Sequence, residues 1–342
     1  MGHRVIMAKA AIGGGIRIGL FGAGHFGRFH AQKVLANPRA ALVGLHDPDP
    51  SRAAALAREC RTEAMAPEAL VDACDAVIVA APAEAHYGLA LAALEAGRHV
   101  LVEKPIAETL DQADRLAAAA SSRGLVLQVG HLLRYSAEHR AISERMRRPL
   151  YIDCVRIAPF KPRGTDVSVI LDLMIHDLDL VLALVDSPIE SVDAVGAPVA
   201  SAHEDIANAR VRFANGCVAT ITASRISLKT ERKMRLFSQE GYMSVDFTAR
   251  KLMMIGRERG LPIPGTGGGR MEDVTWKEHD ALAAEHEAFV AAILDGAPVV
   301  VDAAAGARAL AAALAVSESM AASRARAEAS GLIRPQATPD VT

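Results

Sequence analysis

Across the first third of the chain, apolar residues come in short unbroken runs, and each run is followed by a segment with helical spacing. "IRIGLFGAG" (16–24), "AALVGLHD" (40–47), "CDAVIVAAP" (74–82), "HVLVEKP" (99–105) and "LVLQVGH" (125–131) are the runs, and they read as strands. Between them, "HFGRFHAQKVLAN", "PSRAAALAREC", "AHYGLALAALEAG" and "ADRLAAAASSRG" read as helices. The first of these stops at Pro38, and the third is closed by Gly97 at a C′ position. Continuous apolar strands alternating with helices predict a parallel sheet covered by helices on both faces.

The rhythm changes after about residue 135. "YIDCVRIAP", "ANARVRFANGCVATITASR", "KMRLFSQEGYMSVDF" and "RKLMMIGRE" read as longer strands that follow one another without helices between them. Asn215-Gly216 and Glu240-Gly241 read as hairpin turns. "LPIPGTGGGR" reads as a glycine-rich surface loop, and two late helices cover "HDALAAEHEAFVAAILDG" and "AAAGARALAAALAVSESMAASRARAEA". The expected plan is α/β: a leader over 1–15, a doubly wound Rossmann-type domain over 16–135, and an α+β domain over 136–342 with a large open, mostly antiparallel sheet. A length of 342 residues suits two domains.

Composition adds exclusions. The formal charge of -2 gives no basic footprint for nucleic acid or a membrane surface. No apolar stretch is long enough to span a bilayer. The leader "MGHRVIMAKAAIGGG" lacks the apolar run and cleavage-like end of a signal peptide. Cys60, Cys74, Cys154 and Cys217 are scattered and form no CxxC pair, which fits buried thiols in a reducing cytoplasm.

"GAGHFG" places Gly22, Gly24 and Gly27 in the GxGxxG pattern, after a strand and at the opening of a helix. In that context Gly22 makes the tight turn, Gly24 admits a pyrophosphate, and Gly27 lets helix and strand pack closely. His25 and Phe26 lie within the same loop. Asp47, twenty residues beyond Gly27, ends the second strand, where a carboxylate accepts from ribose hydroxyls and repels a 2′-phosphate. NAD is therefore expected rather than NADP, with Arg52 the nearest positive charge.

"LVEKP" raises a sharper question, because a buried strand ends on Glu103, Lys104 and Pro105. In an open parallel sheet the carboxyl ends of strands border the ligand crevice, so both charges are expected to stand there. Lys104 is suited to donate to a substrate hydroxyl, since its pKa falls when desolvated or beside positive charge. In "VILDLMIHDLDLVLAL", Asp172 and His176 are four apart and share one helical face. Catalysis, a structural buried pair and a metal site all remain open for them on the residues alone.

"GAGHFGRFHA" together with Glu-Lys-Pro after the fourth strand resembles the Gfo/Idh/MocA oxidoreductases, from about residue 16 to the "ALAVSES" helix. The resemblance implies catalytic roles for Lys104 and for Asp172 and His176, which match the family's Asp-x-x-x-His motif. It also implies that Pro82 and His86 border the cofactor, although Ala81 and Ala83 replace the polar residues usual there. Lys104 and His176 both remain candidates for the general base. "VRIAPFKPRGTDVSVILDLMIHDLDL" and "VGHLLRYSAEHRAI" resemble the subgroup of UDP-N-acetylglucosamine 3-dehydrogenases, with Ala158, Tyr135, Ser136 and Ala137 as departures. That subgroup's 3-keto product is aminated for lipid A. A diphosphate substrate would draw on Arg134, Arg156, Lys161 and Arg163. The alternatives are a dehydrogenase of a free sugar or inositol, and an NAD-binding protein without catalysis. The open sheet suggests a homodimer or homotetramer.

Overall fold

The computed structural model describes residues 15–161, 167–256, 261–262, 270–277 and 279–333. Most of the expected leader and part of the glycine-rich "LPIPGTGGGR" stretch lie outside the described residues. The chain divides into two compact units. One runs to Gly130 and is completed by Leu282–Ala304; the other comprises His131–Ala281 and the chain from Ala305 onward.

In the first unit, β1 (Ile16–Phe21), β2 (Ala40–His46), β3 (Ala76–Val79), β4 (His99–Glu103) and β5 (Leu127–Gly130) form one sheet in the order β2-β1-β3-β4-β5. Every pairing is parallel. The chain runs one way from β1 to β2 and the other way to β3, so the carboxyl ends of β1 and β3 flank a topological switch point. Five helices connect the strands: α1 (His25–Ala36), α2 (Pro50–Cys60), α3 (Pro67–Ala73), α4 (Ala83–Glu95) and α5 (Leu110–Ser122). Their ends are set locally. The Asp49 side chain caps α2 by accepting from the Ser51 and Arg52 N–H groups, and Thr109 with Gln112 forms a capping box on α5. α3 is an addition to the expected elements, because seven residues show too little periodicity to be read as a helix.

A helix from the far end of the chain completes this unit. In α8 (Ala281–Leu294), Phe289 and Val290 join the core of Ile16, Ile18, Leu20 and Leu101. Just beyond it, the Val129 N–H donates to Val301 O at 3.0 Å. The contiguous division at residues 135/136 is therefore corrected: the core of the parallel sheet lacks a face until α8 fills it.

The second unit contains α6 (Ala137–Arg145) and the strands β6 (Tyr151–Ile157), β7 (Ile189–Ala197), β8 (Ile206–Phe213), β9 (Val218–Ser224), β10 (Glu231–Ser238), β11 (Gly241–Asp246), β12 (Lys251–Gly256), β13 (Leu261–Pro262) and β14 (Arg270–Thr275). The order is β13-β14-β12-β11-β10-β6-β9-β8-β7, and among these pairings only β6 with β9 is parallel. Buried and exposed residues alternate along β8, which marks a sheet with one packed face. α7 (Ile175–Val185) and α9 (Ala303–Ala329) pack on that face, bringing Leu178, Val181, Ala309 and Val316 against Ala207, Val211 and Ile221. The Asn215-Gly216 hairpin is present: Gly216 has φ +89° and its N–H donates to Phe213 O. Among the described residues no helix is long and apolar enough to cross a membrane.

Candidate active site

The glycine loop joins β1 to α1 at the switch point of the parallel sheet. A Cβ on Gly22, which has φ +99°, would lie 2.4 Å from Ala80 O, and one on Gly27 would lie 1.9 Å from Gly22 O. Both glycines are thus required by the protein's own packing. Gly24 differs: a Cβ there meets nothing within 4 Å, and Gly24 caps α1 with no side-chain hydrogen bond. Open space above uncapped N–H groups at a helix start is a cradle for a pyrophosphate.

Asp47 faces the same loop. Its Oδ2 accepts from the Ala23 N–H at 2.7 Å and its Oδ1 from the Asp49 N–H at 2.9 Å. The cap of α2 is Asp49, not Asp47. A carboxylate held this way still presents lone pairs to a ribose diol. A hollow of about 460 Å³ beside the loop is lined by Ala23, Gly24, His25, Arg28, Arg52 and Leu56, among others. Arg28 is 2.8 Å from Glu59 and Arg52 is 3.2 Å from Asp49, so a carboxylate already answers each cation. His25 is exposed, while Phe26 packs edge-on against Phe29 and His30. The residues present fit a dinucleotide.

At the end of β4, Glu103 and Lys104 separate. Glu103 is 8% exposed and turned inward, not out into the crevice as expected. Its Oε1 lies 2.9 Å from His30 Nε2, and its Oε2 accepts from the Lys104 main-chain N–H at 3.3 Å. A buried carboxylate needs such partners, and they are found inside the unit. Lys104 is half-buried. Pro82 precedes α4 at its N-cap. His86 is buried, with Nδ1 2.7 Å from Pro105 O and Nε2 2.9 Å from Ala81 O. It ties the turn after Lys104 to the end of β3.

In the second unit, the turn that carries Asp172 is not α-helical. Ile170–Met174 forms one wide π turn that runs directly into α7. Such turns recur at functional positions. Asp172 and His176 are both half-buried, whereas Asp177 and Asp179 are fully buried. The buried acids are answered by arginines. Arg156 Nε lies 2.7 Å from Asp177 Oδ2, and its Nη2 is 2.8 Å from Oδ1. Arg134 Nη1 lies 3.3 Å from Asp179 Oδ1. Burial pushes Asp179 up to about 7 even though Arg134 pulls the other way. Arg156 was expected at a substrate phosphate. It is 6% exposed and committed to Asp177, because the buried Asp177 on α7 needs a counter-charge. Lys161 is exposed, and Arg163 lies outside the described residues.

Sequence reasoning missed His30, Glu285 and His286. Glu285 and His286 stand side by side, followed by Glu287, in the apolar-rich "AAEHEAFVAAIL", which was the available signal.

Residues 16–131 match the profile described as "oxidoreductase family, NAD-binding Rossmann fold", and residues 156–244 match the GFO/IDH/MocA C-terminal domain. The chain is 42% identical over 302 residues to UDP-N-acetylglucosamine 3-dehydrogenase of Acidithiobacillus ferrooxidans, covering 87% of this chain and 95% of that protein. A solved structure of that organism's enzyme superposes with a TM-score of 0.85, covering 90% of this chain and 98% of the other at 42% identity. The scyllo-inositol 2-dehydrogenase (NAD(+)) of Bacillus subtilis is 25% identical over 84% of this chain and 89% of its own length. A scyllo-inositol dehydrogenase from Lactobacillus casei, solved with bound NAD(H) and scyllo-inositol, shares the fold at a TM-score of 0.75 and 20% identity over 90% of this chain and 98% of the other. With both halves matched in order and the glycine loop in place, this chain belongs to the Gfo/Idh/MocA family of NAD-binding oxidoreductases.

Proposed function

We propose that this protein oxidises the 3-hydroxyl of a UDP-N-acetylglucosamine-type sugar nucleotide to a 3-keto sugar, with NAD as cofactor. The observation that carries the reading is 42% identity to a UDP-N-acetylglucosamine 3-dehydrogenase across 95% of that enzyme's length. NAD is favoured over NADP by Asp47 at the ribose position and by Arg28 and Arg52, each already matched by a carboxylate. Gly22, Gly24 and Gly27 cradle the pyrophosphate, with His25, Phe26, Pro82 and His86 around the cofactor. When bound, NAD supplies the hydride acceptor.

The chain's own work is the proton. Removing the carbinol hydrogen as hydride requires that the hydroxyl proton leave and that the developing alkoxide be stabilised. Lys104 and His176 are the two candidates for the base. Asp172, four residues before His176, supports it by setting its orientation. Arg134 is the arginine we retain for the substrate, because it is only partly buried by Asp179. The four cysteines are buried and unbridged, which suits a reducing cytoplasm. The exposed sheet face, with Phe237, Val195 and Ile206, suits a homodimer or homotetramer.

The test is to incubate the protein with NAD and UDP-N-acetylglucosamine and follow nicotinamide absorbance, with a 3-aminotransferase and glutamate pulling the equilibrium. A reduced-cofactor signal that vanishes in Lys104→Met is expected. Turnover of inositol or a free hexose with none of UDP-sugars would overturn the substrate. NAD binding without turnover of any sugar would leave a non-catalytic protein.

A further inference from the structure

The interior of the first unit holds a polar group that the reaction does not use. His30 on α1 and His286 on α8 are 0% and 2% exposed, and Glu285 is 0% exposed. His30 Nδ1 lies 2.9 Å from His286 Nε2, and His30 Nε2 lies 2.9 Å from Glu103 Oε1. The other Glu103 oxygen accepts from the main-chain N–H of Lys104. Burying this much polarity is costly, so the arrangement calls for a reason beyond packing.

The direction of the chain follows from what each atom can do. A carboxylate only accepts, so His30 Nε2 carries the proton that meets Glu103. With that proton on Nε2, the neutral tautomer of His30 would accept at Nδ1 from His286 Nε2. The contacts link α8 through α1 to β4, ending on the residue bonded to the Lys104 main chain. Glu285 lies beside the chain with both carboxyl oxygens buried and unpartnered, and Gln128 Nε2 donates to its main-chain O at 3.1 Å. Burial, with Glu103 nearby, pushes the Glu285 carboxyl well above the usual range. On β5, Gly130 packs against the same carboxylate: a Cβ there would lie 2.7 Å from Glu103 Oε1.

We propose that His30 and His286, acting through the Glu103 carboxylate, are positioning residues for Lys104 that lock the end of β4 to the helix behind the glycine loop. The inference rests on the reading of Lys104 as a catalytic group. It gives the acid of the Glu-Lys-Pro motif a role of its own, holding the strand end while the lysine does the chemistry.

Gly130→Ala is the sharpest test, because the added methyl meets the movable end of Glu103 and displaces that carboxylate without deleting any group. His30→Leu breaks the chain, and His30→Gln restores a donor near the Nε2 position. In the full-length protein, Gly130→Ala and His30→Leu are expected to lower kcat on the order of 10-fold or more, the scale of a small misplacement of a reacting group. In Gly130→Ala, melting temperature should hold within a few degrees and KM and the calorimetric Kd for NAD within about threefold; His30→Leu, which leaves the buried Glu103 carboxylate without that partner, should also lose melting temperature, and His30→Gln should recover much of both losses. Lys104 is also read without turnover, by its rate of reductive methylation in peptide mass spectrometry. That rate should change in both variants while the other lysines keep theirs. Wild-type kcat in a folded Gly130→Ala protein, or an unchanged Lys104 methylation rate, would overturn the proposal. So would a kcat loss that tracks lost melting temperature and is not recovered by His30→Gln. Should the wild type turn over no sugar at all, the proposed function fails and the methylation rates still decide this inference.

Discussion

Gly24 and Gly27 stand three residues apart and should answer the same substitution in opposite ways. Gly27→Ala forces a methyl into Gly22 O, so the loop must open, and a clear loss of melting temperature is expected. Gly24→Ala meets no protein atom and should fold as well as the wild type. Its methyl instead occupies the space left for the pyrophosphate, and the Kd for NAD should rise about 10-fold or more by calorimetry. His139 and Asp179 form a second contrast. Burial and the neighbouring Arg134 hold His139 down to about 4, so from the ordinary histidine value to that point the unfolded chain binds a proton that the fold does not. Stability from this group falls as pH falls through that window. Asp179, raised to about 7, is protonated in the fold where the unfolded carboxylate is not, so its contribution falls as pH rises from about 4 to 7. The two slopes oppose each other. Relative to wild type, urea unfolding of His139→Gln should gain stability toward pH 4.5, and Asp179→Asn should lose it. At this scale the glycine loop was legible, because Gly22 and Gly27 answer local steric demands and Gly24 leaves the space a pyrophosphate needs. Arg156 was not: its partner Asp177 lies 21 residues away, and no spacing rule joins a strand arginine to a helix acid.

α7 shows what an element demands of its residues. Its apolar positions bury it on the sheet, and the same burial traps Asp177 and Asp179 unless cations follow them in. Arg156 and Arg134 come from β6 and from the short 3-10 turn Leu132–Tyr135. These pairs tie α7 to β6 and to the 3-10 turn at two points along its first turns. Either Arg156→Met or Asp177→Leu alone should cost about 3–5 kcal/mol in urea unfolding, and the double variant less than their sum. An equal, additive loss would mean that the pair is not coupled. The five strands of the first unit and the helices α1, α2, α4 and α5 could be read to within a few residues, the strands because their apolar runs are continuous. β7 was missed, since in "IESVDAVGA" only Ala194 is fully buried and the run carries little apolar signal. The π turn at Ile170–Met174 was invisible for another reason: a wide turn has the same composition as a narrow one.

For the whole molecule the informative feature is the return of the chain. Segments 15–130 and 282–304 share one core although about 150 residues separate them in sequence. A fragment ending at Gly130 lacks Phe289 and Val290, and it is expected to show no cooperative thermal unfolding by circular dichroism. Joining residues 282–304 to its end through a flexible linker should restore a transition and NAD binding. This long-range closure could not be read from periodicity, because α8 has the apolar pattern of a helix that could bury itself anywhere.

That return also sets a timetable. On the ribosome the glycine loop, β4 and Lys104 emerge first, yet α8 follows only after the whole stretch from His131 to Ala281 has been made. At about 5–20 residues per second, the wait from Gly130 to Ala304 is roughly 10–30 s. During that interval the nascent nucleotide half exposes the apolar surface that Phe289 will cover, and His30 has no His286 to meet.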